Sequence, residues 1–229
     1  MVKKLLSVIG VFLMVAAFAP AAYANLTLTI TDELGDTATF TDVGNTGSVS
    51  TGSNYSLAGG PWNSITITGT SNPILGTLSF PNVDCSASAI NGSGTTPASL
   101  TITLSNNGYT PVGNQIFSMD FGGTNSLTTD TFNAYYDLGN TIGALTTLIN
   151  TLGPYSTSSF SGSIVGGAVP SPGPISLTEL LTITDLPTAT VSTSFDASLK
   201  AVPLPPAALL LGSGLLGLAG LGWRKRKAG

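Results

Sequence analysis

Between Asn25 and Val202 apolar side chains repeatedly alternate with polar ones, most often threonine. A period of two restricts such segments to strands with one dry face and one wet face. Leu26, Leu28 and Ile30 alternate with Thr27, Thr29 and Thr31, and Ile65 with Ile67 and Leu100 with Ile102 and Leu104 repeat the pattern. Phe132, Ala134 and Tyr136 share one face of a further segment, as do Val191, Thr193 and Phe195. Turn-forming residues separate the runs at Asp42-Val43-Gly44-Asn45, Asn91-Gly92, Asn106-Asn107-Gly108 and Leu138-Gly139-Asn140. The expectation is an all-β domain, an antiparallel β-sandwich of jelly-roll or immunoglobulin-like type. One segment breaks the rhythm. Ile142, Leu145, Leu148, Ile149 and Leu152 recur at helical spacing before Gly153-Pro154, which predicts a short helix over 143–152. The Gly-, Ser- and Pro-rich stretch from Ser161 to Pro174 reads as a loop, in which Ile164-Val165 could join an edge strand.

The two ends follow a different logic. Lys3-Lys4 precedes an apolar run from Leu5 to Phe18, and Ala22-Tyr23-Ala24 places small residues where a signal peptidase reads. Residues 1–24 are therefore expected to form a signal-peptide helix, cleaved after Ala24. At the other end Val202-Pro203-Leu204-Pro205-Pro206 is followed by the uncharged stretch Ala207 to Trp223, then by Arg224-Lys225-Arg226-Lys227. Those seventeen apolar residues would make a transmembrane helix of roughly 26 Å, at the short end of what spans a bilayer. The four cations would anchor its cytoplasmic side. The division is thus a leader (1–24), an exported β-domain (25–201) and a terminal segment (202–229).

The order of proline block, glycine-rich apolar helix and basic cluster resembles the PEP-CTERM sorting signal of bacterial proteins associated with exopolysaccharide. The resemblance covers Val202 to Lys227, with Leu204 where the family usually has glutamate. It implies recognition and processing by an exosortase-type membrane enzyme around Pro203, Leu204 and Pro205, and delivery to the cell surface or extracellular matrix. The middle of the chain, around Tyr135 to Thr141 and Val191 to Val202, is similar to a group of exported PEP-CTERM proteins without an assigned activity.

Charge narrows the chemistry. The β-domain carries all eleven acidic residues of the chain against the single Lys200. Nucleic-acid binding is excluded as an expectation, because displacing phosphate counterions requires basic residues. The chain has no histidine, which removes serine- and cysteine-triad catalysis and most transition-metal sites. Cys85 is the sole cysteine, so no intramolecular disulfide can form, and it reads as a small buried apolar side chain. No enzyme activity and no cofactor are expected. Asp120, Asp130, Asp137 and Glu179 could supply a glycosidase pair, but no spacing singles one out. Asp32, Glu33 and Asp36 could offer oxygen ligands to Ca²⁺, although not in an EF-hand pattern. For binding, Tyr55, Trp62 and Tyr135 are the candidate rings for stacking on extracellular polysaccharide, the alternative to a purely structural role. Asn25, Asn54 and Asn91 begin N-glycan sequons, which a bacterial-type tail argues against using.

Overall fold

A computed structural model describes residues 25–93, 98–170, 173–185 and 190–202. The expected signal peptide with Ala22 and Ala24, the Pro203-Leu204-Pro205 motif, the apolar helix and the Arg224–Lys227 cluster all lie outside these residues. Among those described there is no helix. Twelve strands follow in order: β1 (Thr27–Asp32), β2 (Thr37–Thr41), β3 (Ser48–Ser50), β4 (Trp62–Thr70), β5 (Asn82–Ser93), β6 (Ser99–Tyr109), β7 (Gln115–Ser126), β8 (Thr128–Asp137), β9 (Thr147–Tyr155), β10 (Ser159–Val169), β11 (Ile175–Asp185) and β12 (Thr190–Val202).

They form two antiparallel six-stranded sheets. One has the order β2-β1-β6-β11-β8-β9, the other β10-β7-β12-β5-β4-β3. Strands β5 to β12 supply four neighbours to each sheet, in the orders 5-12-7-10 and 6-11-8-9. That is jelly-roll connectivity, with β1 to β4 extending the two sheets at one side.

The threonine alternation does what its period requires. Across the first sheet Ile30, Ile102, Leu181 and Phe132 line up in register, and all four are fully or almost fully buried. The adjacent row is Leu28, Leu104, Glu179 and Ala134, so one carboxylate stands among aliphatic side chains. The second sheet answers with Ile65, Ile67, Val83, Cys85, Phe117, Met119, Phe195, Ala197 and Leu199, all buried. Cys85 thus has the buried, apolar position expected of it, and burial pushes its thiol pKa well up, so it stays protonated and inert. At Gly69 a Cβ would come 2.3 Å from Leu104 Cδ1, so glycine lets the two sheets close at that point.

Several expectations are corrected here. The segment 143–152 is not a helix: its second half enters β9, hydrogen-bonded to β8. Leu145 and Leu148 are about half exposed while Ile149 and Leu152 point into the core, so no helical stripe is buried. Four β-branched residues within Thr146–Thr151 favour the strand, and pairing with β8 decides the matter. Gly153 has φ 97° and sits in a bulge, with Leu152 opposite Phe132 and Tyr155 opposite Asp130. The apparent helix stop is therefore an edge-strand bulge.

Asn106-Asn107-Gly108 is likewise a bulge within β6, Gly108 taking φ 80° and donating its amide to Asn140 Oδ1 at 2.7 Å. Asn91-Gly92 lies inside β5 opposite Trp62, and a Cβ on Gly92 would approach the indole to 3.1 Å. The glycine there makes room for a ring; it does not turn the chain. Most of the stretch expected as a loop from Ser161 is β10, an edge strand that includes Ile164-Val165.

Candidate functional site

The outer face of the second sheet carries a cleft of about 640 Å³. Pairing builds it from residues far apart in sequence. Asp84 on β5 stands opposite Ser198 on β12, Ser198 opposite Asp120 on β7, and Asp120 opposite Ser163 on β10. The period of two puts Asp196, Ser198 and Lys200 on this same face of β12. Asp196 faces Ser86 on one side and Gly122 on the other. Gly122, paired with Ser161, lines the cleft without a side chain to fill it.

The charges are arranged unequally. Lys200 Nζ donates to Asp120 Oδ2 at 2.7 Å, and Ser163 Oγ donates to Asp120 Oδ1 at 2.6 Å. These two bonds hold the Asp120 carboxyl below its usual pKa, so it is ionised. Asp84 has the opposite environment. Partial burial and the nearby Asp196 charge raise its pKa to about 6, with Lys200 pulling the other way. At neutral pH the cleft therefore offers three carboxylates and one ammonium, ringed by serine hydroxyls. It is an acceptor-rich surface suited to ligands with many hydroxyl or amine donors.

The residues expected from sequence do not assemble around this cleft, Asp120 excepted. Trp62 is fully buried, packed against Gly92 with its Nε1 donating to Glu33 Oε2 at 3.4 Å. As a sugar-stacking ring it is ruled out, because no face is open. Tyr55 packs edge-on against Phe40, ring centroids 5.2 Å apart, at the β2–β4 side of the sandwich. Tyr135 lies on β8, four strands from β2 across the first sheet. The three rings form no common platform.

Asp32, Glu33 and Asp36 also serve structure. Asp32 Oδ1 accepts the amides of Leu34 and Asp36 at 3.0 and 2.9 Å, closing the β1–β2 hairpin. Glu33 Oε2 accepts the Ser99 amide at 3.2 Å as well as the Trp62 indole. Among the described residues no three acids converge closely enough to hold a metal ion, and the Ca²⁺ assignment is withdrawn. Asp137 orders the β8–β9 turn, accepting Thr141 N at 3.0 Å and Thr146 Oγ1 at 2.8 Å. Asp130 is buried and bonded by Thr193 Oγ1 at 2.6 Å, tying the two sheets together. Glu179 is in the core, away from solvent.

Sequence reasoning missed Asp84, Asp196, Ser198 and Lys200. One signal was present: the sole lysine of the β-domain lies four residues beyond Asp196 on an alternating strand, hence on the same face.

Fold and site together define a jelly-roll β-sandwich domain with a polar, predominantly anionic cleft on one sheet. No family model matches this chain, and no curated protein sequence matches it. Among solved structures it is similar to the carbohydrate-binding module TmCBM61 in complex with β-1,4-galactotriose. That likeness has 12% identity and a TM-score of 0.31, and covers 61% of this chain and 87% of that one. It is also similar to the adhesin domain of Epf from Streptococcus pyogenes, with 12% identity, a TM-score of 0.38, and 79% and 60% of the two chains covered. Likenesses this distant are of general outline and carry no activity across.

Proposed function

We propose that this chain is an exported cell-envelope or matrix protein that binds extracellular polysaccharide, without cleaving it, through the cleft over β5, β12, β7 and β10. The observation that supports this reading is the row Asp84, Ser198, Asp120 and Ser163, flanked by Asp196 and Lys200. Sugar rings present adjacent hydroxyls as donors, and hydrogen bonds to ionised acceptors contribute about 1.5–3 kcal/mol each. An open cleft on a sheet face lets a polymer lie across it with both ends free. Affinity electrophoresis in gels containing candidate polysaccharides tests this. Retarded migration is expected, with Asp120→Asn and Asp196→Asn each weakening retention roughly tenfold, about 1.4 kcal/mol. Retention should also weaken as pH falls through about 6, where Asp84 takes up its proton, and Asp84→Asn should remove that dependence. Cleft variants that bind like the native chain, or reducing ends released from the polymer, would count against the proposal.

The terminal segment supports the address. In this reading signal peptidase cleaves after Ala24, the apolar helix holds the domain at the membrane, and an exosortase-type enzyme processes the chain near Pro203-Leu204-Pro205. Replacing those three residues with alanine should leave export intact and trap a full-length membrane form, seen as an unprocessed intact mass. Unchanged processing would discard the sorting reading.

A further inference from the structure

Two open sheets have four edges, and three of these are guarded. Strand β3 is only three residues long, and β2 is five residues long between Asp36 and Asp42. Strand β9 has two register breaks and contains Pro154. Short length, flanking charge, bulges and proline are the usual devices that keep a strand edge from pairing with another chain. Strand β10 has none of them over its first eight residues. Ser159 to Gly166 pairs in unbroken register with β7, and a bulge enters only between Gly166 and Ala168. Among the described strands β10 is hydrogen-bonded to β7 alone, and β9 packs beside it, with Leu152 and Tyr155 against Gly162 and Ile149 against Gly167.

Its surroundings are as distinctive as the strand. From Leu138 to Thr178 the chain has no Asp, Glu, Lys or Arg, in a domain that otherwise bears eleven acids and one lysine. Both edge strands on this side of the sandwich, β9 and β10, fall in that stretch, and it exposes Leu148 and Val165, at 51% and 62%. Two copies of so acidic a domain repel one another over most of their surface. Along this edge the strands that meet bring no charge of their own, and the nearest carboxylate, Asp120 opposite Ser163, is paired with Lys200.

We propose that β10 is a docking edge for a second copy of this chain, pairing antiparallel with its own counterpart about a two-fold axis. An antiparallel pair of identical strands is self-complementary, so the contact closes at a dimer. It would join two second sheets edge to edge and bring the two clefts side by side, since Ser161 and Ser163 of β10 line them.

Sedimentation velocity on the exported chain, in the form the producing cell releases, tests this. A concentration-dependent monomer–dimer equilibrium is expected, with a dissociation constant in roughly the micromolar range for so small a contact. The double variant Ser161→Lys/Val165→Lys should weaken it at least tenfold, while Val165→Thr should leave it intact. Hydrogen exchange on the native chain reads the same contact without substitution: β10 amides should gain protection as concentration rises, and β3 amides should not. A chain that stays monomeric at about 100 μM would overturn the proposal. So would a lysine variant that dimerises as tightly, a ladder of species beyond the dimer, or protection gained elsewhere than β10.

Discussion

The native chain is expected to lose stability as pH rises above about 4.5, and Glu179→Gln to flatten that loss. Glu179 stands in the aliphatic row with Leu28, Leu104 and Ala134, fully buried, and no side chain bonds its carboxyl, so only the Leu199 backbone partly offsets the burial. Burial raises its pKa well above the usual 4.5, and the negative charges of Asp84 and Asp196 beyond the facing sheet add to the rise. The folded chain therefore keeps this proton where the unfolded chain releases it. Above pH 4.5 the unfolded state binds fewer protons, so stability falls by up to about 1.4 kcal/mol per pH unit for one such group.

Asp84, with its pKa at about 6, and Asp130, also raised by burial, act in the same sense from pH 3.8 upward. Asp120 and Asp137 act oppositely. Lysine and serine bonds in the first, and turn amide and hydroxyl bonds in the second, lower their pKa values, so their stabilisation is present above 3.8 and is lost as pH falls through the lowered values. Greatest stability is expected in mildly acidic solution. Urea midpoints at pH 4.5, 6, 7.5 and 9 separate the contributions. Between pH 6 and 9 the native slope should exceed that of Glu179→Gln, by up to one proton's worth. The slope matters more than the level, because the buried amide of glutamine is itself poorly partnered and costs about 1–3 kcal/mol. Glu179→Leu, which completes the aliphatic row, should flatten the slope and raise the level. Parallel pH curves for all three chains would sink the account.

What was readable in the chain and what was not divide along a physical line. Alternation is local, and it located Thr27–Asp32 and the cores of β4, β6, β8 and β12. Turn residues were recognised by type but not by use. A left-handed residue serves a turn, as Asn140 does after Asp137, and a bulge, as Gly108 and Gly153 do, equally well, and only the partner strand decides. Leu145 and Leu148 mimic a helical stripe because residues outside the core happen to continue the spacing of those inside it. The cleft was least legible. Asp84, Asp120 and Asp196 become neighbours because β12 pairs with both β5 and β7, an arrangement that local periodicity does not encode.

The aromatic candidates show the same limit from the side of energetics. Trp62→Ala should destabilise the domain by about 3–5 kcal/mol, the range for emptying a large aromatic site in a core. That is a large share of a typical domain stability of about 5–15 kcal/mol. The indole is fully buried against Gly92, whose missing side chain is what admits it, and Val191 packs on the same glycine. Its N–H reaches Glu33, which also holds the Ser99 amide, so truncation loosens the contact between the β1–β2 hairpin and the start of β6. Trp62→Phe retains most of the packing, loses the indole hydrogen bond, and should cost less. A surface stacking ring would behave in the reverse way, with polysaccharide retention lost and stability unchanged. Urea midpoints and gel retention measured on the same variants therefore distinguish the two roles. Retained binding by Trp62→Phe, with a lowered midpoint in Trp62→Ala, fits a core residue away from the cleft. An unchanged midpoint in Trp62→Ala with binding abolished would return the ring to the surface and reject the packing described here.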